Sequence, residues 1–317
     1  MSEQSTSEKL VCYGEILWDV LPSGELPGGA PMNVAYHLHK LNQPVSLITA
    51  IGNDFHGTTL VNLLSKWGIG IEHFHIDHYH PTGMVYAQPK GQHEMIYDIV
   101  FPSAWDFIVW NDKYTCLMQE TDYLVFGSLA CRNHTSGNTL FKLLETAKNK
   151  VLDINIRPPH FSPKTVEQLL HKTNILKLNL AELDLIAGWY SSLLAITDKV
   201  QLIRDRFLIN TIVVTLGDKG ALLCMDGNFY EHPGYKVQVA DTVGSGDAFL
   251  AAFLSRLIDK APPEKILDFA CAMGALIASY TGACPEYDIH EIKSVASYQL
   301  PVSGRPETGN RKPVTET

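Results

Sequence analysis

Short apolar runs of strand length alternate along this chain with stretches whose apolar residues recur every three or four positions. Leu10 to Ile16 has the continuous apolar character of a buried strand, and V-S-L-I-T-A-I-G at 45–52 repeats it. Between them, L-P-G-G-A-P-M-N-V-A-Y-H-L-H-K-L presents a glycine turn, a proline near a first helical position and an amphipathic helix. Thr58 to Trp67 predicts a second helix. From T-D-Y-L-V-F-G onward the alternation resumes, with V-L-D-I-N-I, N-I-L-K-L-N and T-I-V-V-T-L-G as strands between helical patterns. Such alternation predicts an α/β protein: a mostly parallel central sheet covered by helices on both faces, in three layers.

Two parts break the rhythm. Residues 72–79 and 83–100 read as consecutive short strands, and with Trp18 to Leu26 they are expected to form a small separate sheet. A small β-layer beside an α/β body is a natural lid over a site at the strand ends. The expected organisation is therefore one domain over 10–300, its lid formed by about 17–27 and 72–100, with flexible termini at 1–9 and 303–317. The second break follows Asp247, where apolar helices at about 246–259 and 263–281 succeed one another with no strand between.

Composition narrows the function. The chain has 317 residues, 45% of them apolar, enough for a substantial core. A formal charge of −9 argues against a broad footprint for nucleic acid or an anionic membrane. Cysteines at 12, 116, 131, 224, 271 and 284 form no C-x-x-C, so reduced and mostly buried thiols of a cytoplasmic protein are expected. There is no apolar signal core at the N-terminus and no run of membrane-spanning length. Neither G-x-x-x-x-G-K-[ST] nor a G-x-G-x-x-G after a strand occurs, so phosphate, if handled, needs another device.

D-T-V-G-S-G-D at 241–247 offers one. Gly244 and Gly246 let backbone N–H groups approach a ligand closely, and at a helix start those groups are unpaired and lie at the positive end of the dipole. They make an anion hole, with Ser245 inside it and Asp247 in the first turn beside it, placed to accept a proton from an attacking hydroxyl. The dipole is expected to keep Asp247 ionised. As an ordinary helix start, Ser245 would cap and Asp247 would complement the dipole.

Other candidates cluster near predicted strand ends. Asp19, read as ending the first strand, with Gly28, Gly29 and Asn33, offers the donors and acceptors that sugar hydroxyls need; a turn aspartate and a capping asparagine are the plainer alternative. Arg157, in D-I-N-I-R-P, can pair with a phosphate or sugar oxygen, or form a surface ion pair. Asn179 and Glu182 have the spacing of a capping box. V-T-L-G-D-K-G, with Thr215, Gly217 and Gly220, reads as a hairpin, and Gly274 belongs to a helix with small residues at packing distance. The histidines at 73, 75, 78 and 80 alternate faces on a regular strand, so solvated lid residues are expected there and not a metal cluster.

D-T-V-G-S-G-D resembles the C-terminal hallmark D-T-x-G-[AS]-G-D of the ribokinase-like (PfkB) carbohydrate kinases, and P-G-G-A-P-M-N-V-A at 27–35 resembles their N-terminal one. The resemblance runs from about Leu10 to Tyr287. It implies a ribokinase-like fold, sugar binding by Asp19, Gly28, Gly29 and Asn33, and an active-site role for Arg157. It further implies that Asn179 and Glu182 act on magnesium and the phosphates, Glu182 through water, and that Thr215, Gly217, Gly220 and Gly274 line an ATP site. A monovalent cation such as K+ is common among relatives; its ligands are not placed. G-E-I-L-W-D-V-L-P, P-S-A-W-D-F-I and F-G-S-L-A-C-R resemble the fructokinase-like branch, from which P-T-G-M departs at Met84. The implied reaction is ATP-dependent phosphorylation of D-fructose at its 6-hydroxyl, with dimerisation through the lid. The alternatives are another sugar, a 2-keto-sugar acid or a nucleoside as substrate, or a sugar-sensing protein without catalysis.

Overall fold

The apolar runs become strands of one large sheet in the computed structural model, which describes residues 8–22, 24–90, 94–192 and 195–297. β1 (Leu10–Tyr13), β2 (Leu17–Leu21) and β3 (Gly24–Gly28) lead into α1 (Ala30–Lys40). Then come β4 (Val45–Gly52), α2 (Phe55–Trp67), β5 (Phe74–Asp77) and the antiparallel pair β6 (Gly83–Lys90) and β7 (Glu94–Ile99). Next are α3 (Lys113–Glu120), β8 (Tyr123–Gly127), α4 (His134–Thr146), β9 (Asn149–Asp153), α5 (Pro163–Leu170) and β10 (Ile175–Asn179). α6 (Leu180–Gly188), α7 (Ile196–Phe207), β11 (Thr211–Thr215), β12 (Ala221–Met225) and β13 (Asn228–His232) precede α8 (Ser245–Ile258), α9 (Pro263–Ala278) and α10 (Ile289–Ser297).

The large sheet has the order β13-β12-β11-β10-β9-β8-β1-β4-β5. Along that order the neighbours from β11 across to β5 pair in parallel, and β12 and β13 close the other edge antiparallel. Alternate residues of each strand feed two cores. Leu10, Cys12, Val151 and Val213 pack with α1, α2, α8 and α9; Val11, Tyr13, Leu152, Ile212 and Val214 pack with α3 to α7. Strands buried on both faces read as unbroken apolar runs, which is why they were legible as a parallel sheet. Among the described residues no helix is long and apolar enough to cross a membrane, and the six cysteines are free, with Cys116 exposed.

The small sheet has the order β3-β2-β6-β7. Its makeup differs from the sequence expectation in two ways. Residues 72–79 do not join it: β5 adds to the large sheet beside β4, with Ile51 opposite Ile76. The histidines there accordingly serve the body. His80 stacks on Phe107 with ring centroids 3.7 Å apart, and its Nδ1 lies 2.9 Å from Asp77 Oδ2. The first strand also stops at Tyr13 instead of Ile16, because the chain crosses there into the small sheet. Of the expected flexible ends, residues 1–7 and 303–317 lie outside the described residues, whereas Lys9 is tied down through its N–H to Asp122 Oδ2 at 3.0 Å.

Polar anchors fix both ends of the β2–β7 layer. At the entry to β6, Thr82 donates its N–H and its hydroxyl to Asp54 at 2.8 and 2.7 Å, while Asp54 also caps α2 through Gly57 N–H. At the exit from β7, Arg132 makes two 2.7 Å bonds to the Asp106 carboxylate and donates to Val100 O, and its guanidinium lies 3.8 Å from the Trp105 ring centroid. P-S-A-W-D-F-I and F-G-S-L-A-C-R are thus two halves of one buried ion pair. Replacing Arg132 by Met leaves the wholly buried Asp106 without its partner. The expected outcome is a loss of about 3–5 kcal/mol of stability, measured by urea denaturation.

Candidate active site

The site forms where the parallel strands end. α8 begins at Gly244, whose φ of 76° requires glycine and whose Cα lies so close to Ala283 that a Cβ would approach its Cα to 2.5 Å. Ser245 does not cap this helix as a plain helix start would have it: its hydroxyl donates back to Thr242 O at 3.0 Å. Among the described residues the N–H groups of Gly246 and Asp247 have no acceptor, so the positive end of a 14-residue helix stays open to an anion. Asp241 holds the loop in place by accepting from Val243 N and Gly282 N.

Facing that opening is a buried pair that the sequence reading did not pick out. Lys177, on β10, donates to both carboxylate oxygens of Asp153 at the end of β9, at 2.9 and 2.7 Å. Its Nζ lies 3.0 Å from where a Cβ on Gly246 would be, so the ammonium meets the helix head. Burial alone would lower the Lys177 pKa; Asp153, Asp247 and Glu182 outweigh it and hold the ammonium above its usual range. The signal was present in N-I-L-K-L-N, since a lysine inside an apolar parallel strand demands a buried partner.

Asp247 stands between these groups and α1. Asn33 Nδ2 donates to Asp247 Oδ2 at 2.8 Å, which brings the two sequence hallmarks into contact. Burial first, and then the Asp153 carboxylate, push Asp247 up to about 6, against Lys177, the Asn33 hydrogen bond and Arg157. Desolvation thus lifts the carboxyl above the ordinary aspartate range, to a value that still leaves it mostly ionised at neutral pH.

Asn33 is presented by α1, which starts at Gly29 with φ 109°, where a Cβ would meet Glu15 O at 2.5 Å. Asp19 lies within β2 of the small sheet and does not end the first large-sheet strand. Its carboxylate packs directly against Gly28, and burial followed by the opposing influence of Arg157 leaves it at about 6. Arg157 is exposed in the loop after β9 and, among the described residues, makes no side-chain hydrogen bond. Its charge lowers the carboxyls of Glu15, Asp19 and Asp247, so it faces the same space.

Asn179 and Glu182 form both bonds of the capping box, each at 2.9 Å, at the start of α6. Glu182 Oε1 also accepts Ile156 N–H at 2.8 Å, which ties the Arg157 loop to the first turn of α6. Asn179 pairs in register with Thr215 on β11. Gly217 and Gly220 follow in the turn to β12; Gly217 is open to solvent, whereas Gly220 packs on the His232 carbonyl. Gly274 lets α9 approach the first turn of α8, 3.3 Å separating a Cβ there from Ser245 O. Asn33, Asp247 and the Lys177–Asp153 pair are thus brought together, with Arg157 near enough to act by charge on both Asp247 and Asp19, whereas a Cβ on Gly217 would meet no neighbour and Gly220 is packed against the β13 end.

An α/β/α body with a β-sheet cover, and an open helix head flanked by a lysine and a buried carboxylate, defines a phosphoryl-handling enzyme of the ribokinase-like class. The family model for pfkB carbohydrate kinases matches residues 7–289, and the chain belongs to that family: it is a sugar kinase. A fructokinase from Salmonella typhimurium is 28% identical over 296 residues, covering 87% of this chain and 94% of its own. Two solved structures share the fold. The Vibrio cholerae fructokinase bound to fructose, ADP and a potassium ion has a TM-score of 0.78 at 24% identity over 91% of this chain and 98% of that one. The Xylella fastidiosa fructokinase with bound ATP has a TM-score of 0.82 at 22% identity, over 92% and 98%.

Glu15, between β1 and β2, is 2% exposed, its Oε2 has no partner among the described residues, and the backbone N–H groups of Glu15 and Ala30 pull its carboxyl down. Burial raises it to about 7, with Asp247 adding to the shift. A carboxyl raised on folding adds stability below its unfolded pKa and loses it as pH rises through the folded value. The Glu15 contribution to stability should therefore fall between pH 5 and pH 8. Glu15→Gln keeps a carbonyl for the two N–H groups and removes the titration. Relative to wild type it should gain about 2 kcal/mol over that range, read by urea denaturation at both pH values.

Proposed function

We propose that the protein is an ATP-dependent fructokinase that transfers the γ-phosphoryl group of ATP to the 6-hydroxyl of D-fructose, giving fructose 6-phosphate and ADP. One observation carries this reading: a carboxylate with a near-neutral pKa adjoins two unbonded N–H groups and a buried ammonium. The hydroxyl oxygen attacks the γ-phosphorus and its proton passes to Asp247 as the bond to the ADP oxygen breaks. Gly246 and Asp247 N–H groups, Lys177 and Arg157 meet the charge on the transferring group. Asn33, Asp19, Gly28 and Gly29 hold the sugar, and the edge from Asn179 to Gly274 takes the nucleotide.

Both oxygens of Glu182 already accept backbone N–H bonds, so Glu182 fits a magnesium ion through water and not as a direct ligand. Magnesium on the nucleotide neutralises phosphate charge when bound. The ADP and potassium bound to the Vibrio cholerae enzyme support a nucleotide and a metal ion here. Fructokinase relatives support the sugar. Pairing with a second copy through the small sheet is supported by its outer strands β3 and β7, whose far edges have no strand partner among the described residues.

Asp247→Asn should lower kcat by about 10²–10⁴-fold while leaving sugar binding near wild type, measured by steady-state kinetics and calorimetry. A few-fold loss would sink the base assignment. In the wild type, kcat/KM should fall as pH drops through about 6, since the base must be ionised, whereas an ordinary aspartate would hold activity to about pH 4. Across a panel of sugars with ATP and magnesium, fructose should give the highest kcat/KM; equal or better turnover of another sugar overturns the substrate assignment.

A further inference from the structure

Asn33, Tyr36 and His37 share one face of α1, at i, i+3 and i+4. All three grip one short segment after α9. His37 Nε2 lies 2.9 Å from Ala283 O, Cys284 Sγ lies 3.4 Å from Asn33 Oδ1, and Tyr36 OH donates to Pro285 O at 2.7 Å. The thiol is thereby delivered to the far side of the Asn33 carboxamide from Asp247.

A carboxamide has two ends of nearly equal shape and opposite chemistry, so nothing steric stops Asn33 from turning over. Its neighbours decide. With Nδ2 toward Asp247, the amide donates to the carboxylate and its oxygen accepts from the thiol. Turned over, its NH2 group would confront the S–H donor while its oxygen faced Asp247, an arrangement suited only to a protonated carboxyl. Burial, then Asp247 and Asp19, keep the Cys284 thiol protonated, as a donor must be.

We propose that Cys284 is a positioning residue: its thiol fixes which end of the Asn33 carboxamide faces Asp247 and so keeps Asp247 available as the proton acceptor. The inference rests on the kinase reading of Asp247. The other charged groups facing that carboxylate are Asp153 at the end of β9, Arg157 in the loop after it, Lys177 on β10 and Glu15 between β1 and β2. They act on it through charge, so a substitution at Cys284 isolates the amide.

The test pairs Cys284→Ala with Cys284→Ser, following the pH dependence of kcat/KM and the Asn33 side-chain amide signals in protein labelled with nitrogen-15 asparagine. In Cys284→Ala the acid limb should move up by about half a pH unit, and the pH at which the Asn33 signals change should move with it. Cys284→Ser keeps a donor and should restore the wild-type limb. A uniform drop in kcat with the limb and the amide titration unmoved in Cys284→Ala would reduce Cys284 to packing and overturn the proposal. Should the wild type transfer no phosphoryl group, the base assignment falls, and the amide titration in the two variants still decides what Cys284 does.

Discussion

The ion pair between Lys177 and Asp153 is the constraint around which the site is arranged. A lysine in the middle of a buried strand costs several kcal/mol unless a carboxylate meets it, and Asp153 does so with both oxygens. The pair leaves the ammonium facing the head of α8, so one group satisfies the core and supplies charge to the opening. It also sets the state of the neighbouring acid. Asp153 pushes Asp247 upward and Lys177 pulls it down, and burial settles the balance close to neutrality. A carboxylate poised there accepts a proton from a hydroxyl more effectively than one held near 4.

Around this centre, backbone and side chains share the work. Glu182 spends one oxygen on the capping box and the other on Ile156 N–H, so one carboxylate links the helix start, the strand end and the arginine loop. Asp241 joins the loop before α8 to Gly282. The small sheet is fastened separately, by Thr82 to Asp54 at its entry and by Arg132 to Asp106 at its exit. The Trp18 and Met84 side chains hold it further by packing into the core of the body.

Much of this was legible in the chain. Continuous apolar runs announced a parallel sheet because strands buried on both faces carry no polar alternation. The Asn179–Glu182 box and the glycine-flanked start of α8 were readable because local hydrogen bonding dictates them. What escaped was long-range. The strand at 74–77 looks like its neighbours at 83–99, and only the pairing with β4 sends it to the large sheet. Asp153 and Lys177 are 24 residues apart and meet because β9 and β10 are parallel neighbours. The raised pKa of Asp247 depends on burial and on a carboxylate from another strand, neither of which the local sequence around α8 displays.

The grip of α1 on residues 283–285 has a consequence for how the protein is made. Asn33 and Cys284 are separated by 251 positions, and β1 lies in mid-sheet between β4 and β8. As the chain leaves the ribosome, the first helix emerges early and waits, its Asn33–Tyr36–His37 face unmatched, until nearly the last helical segment has been synthesised. The contact that steadies the Asn33 face therefore needs almost the whole chain, and a chain ending before residue 283 lacks the partners of Asn33, Tyr36 and His37.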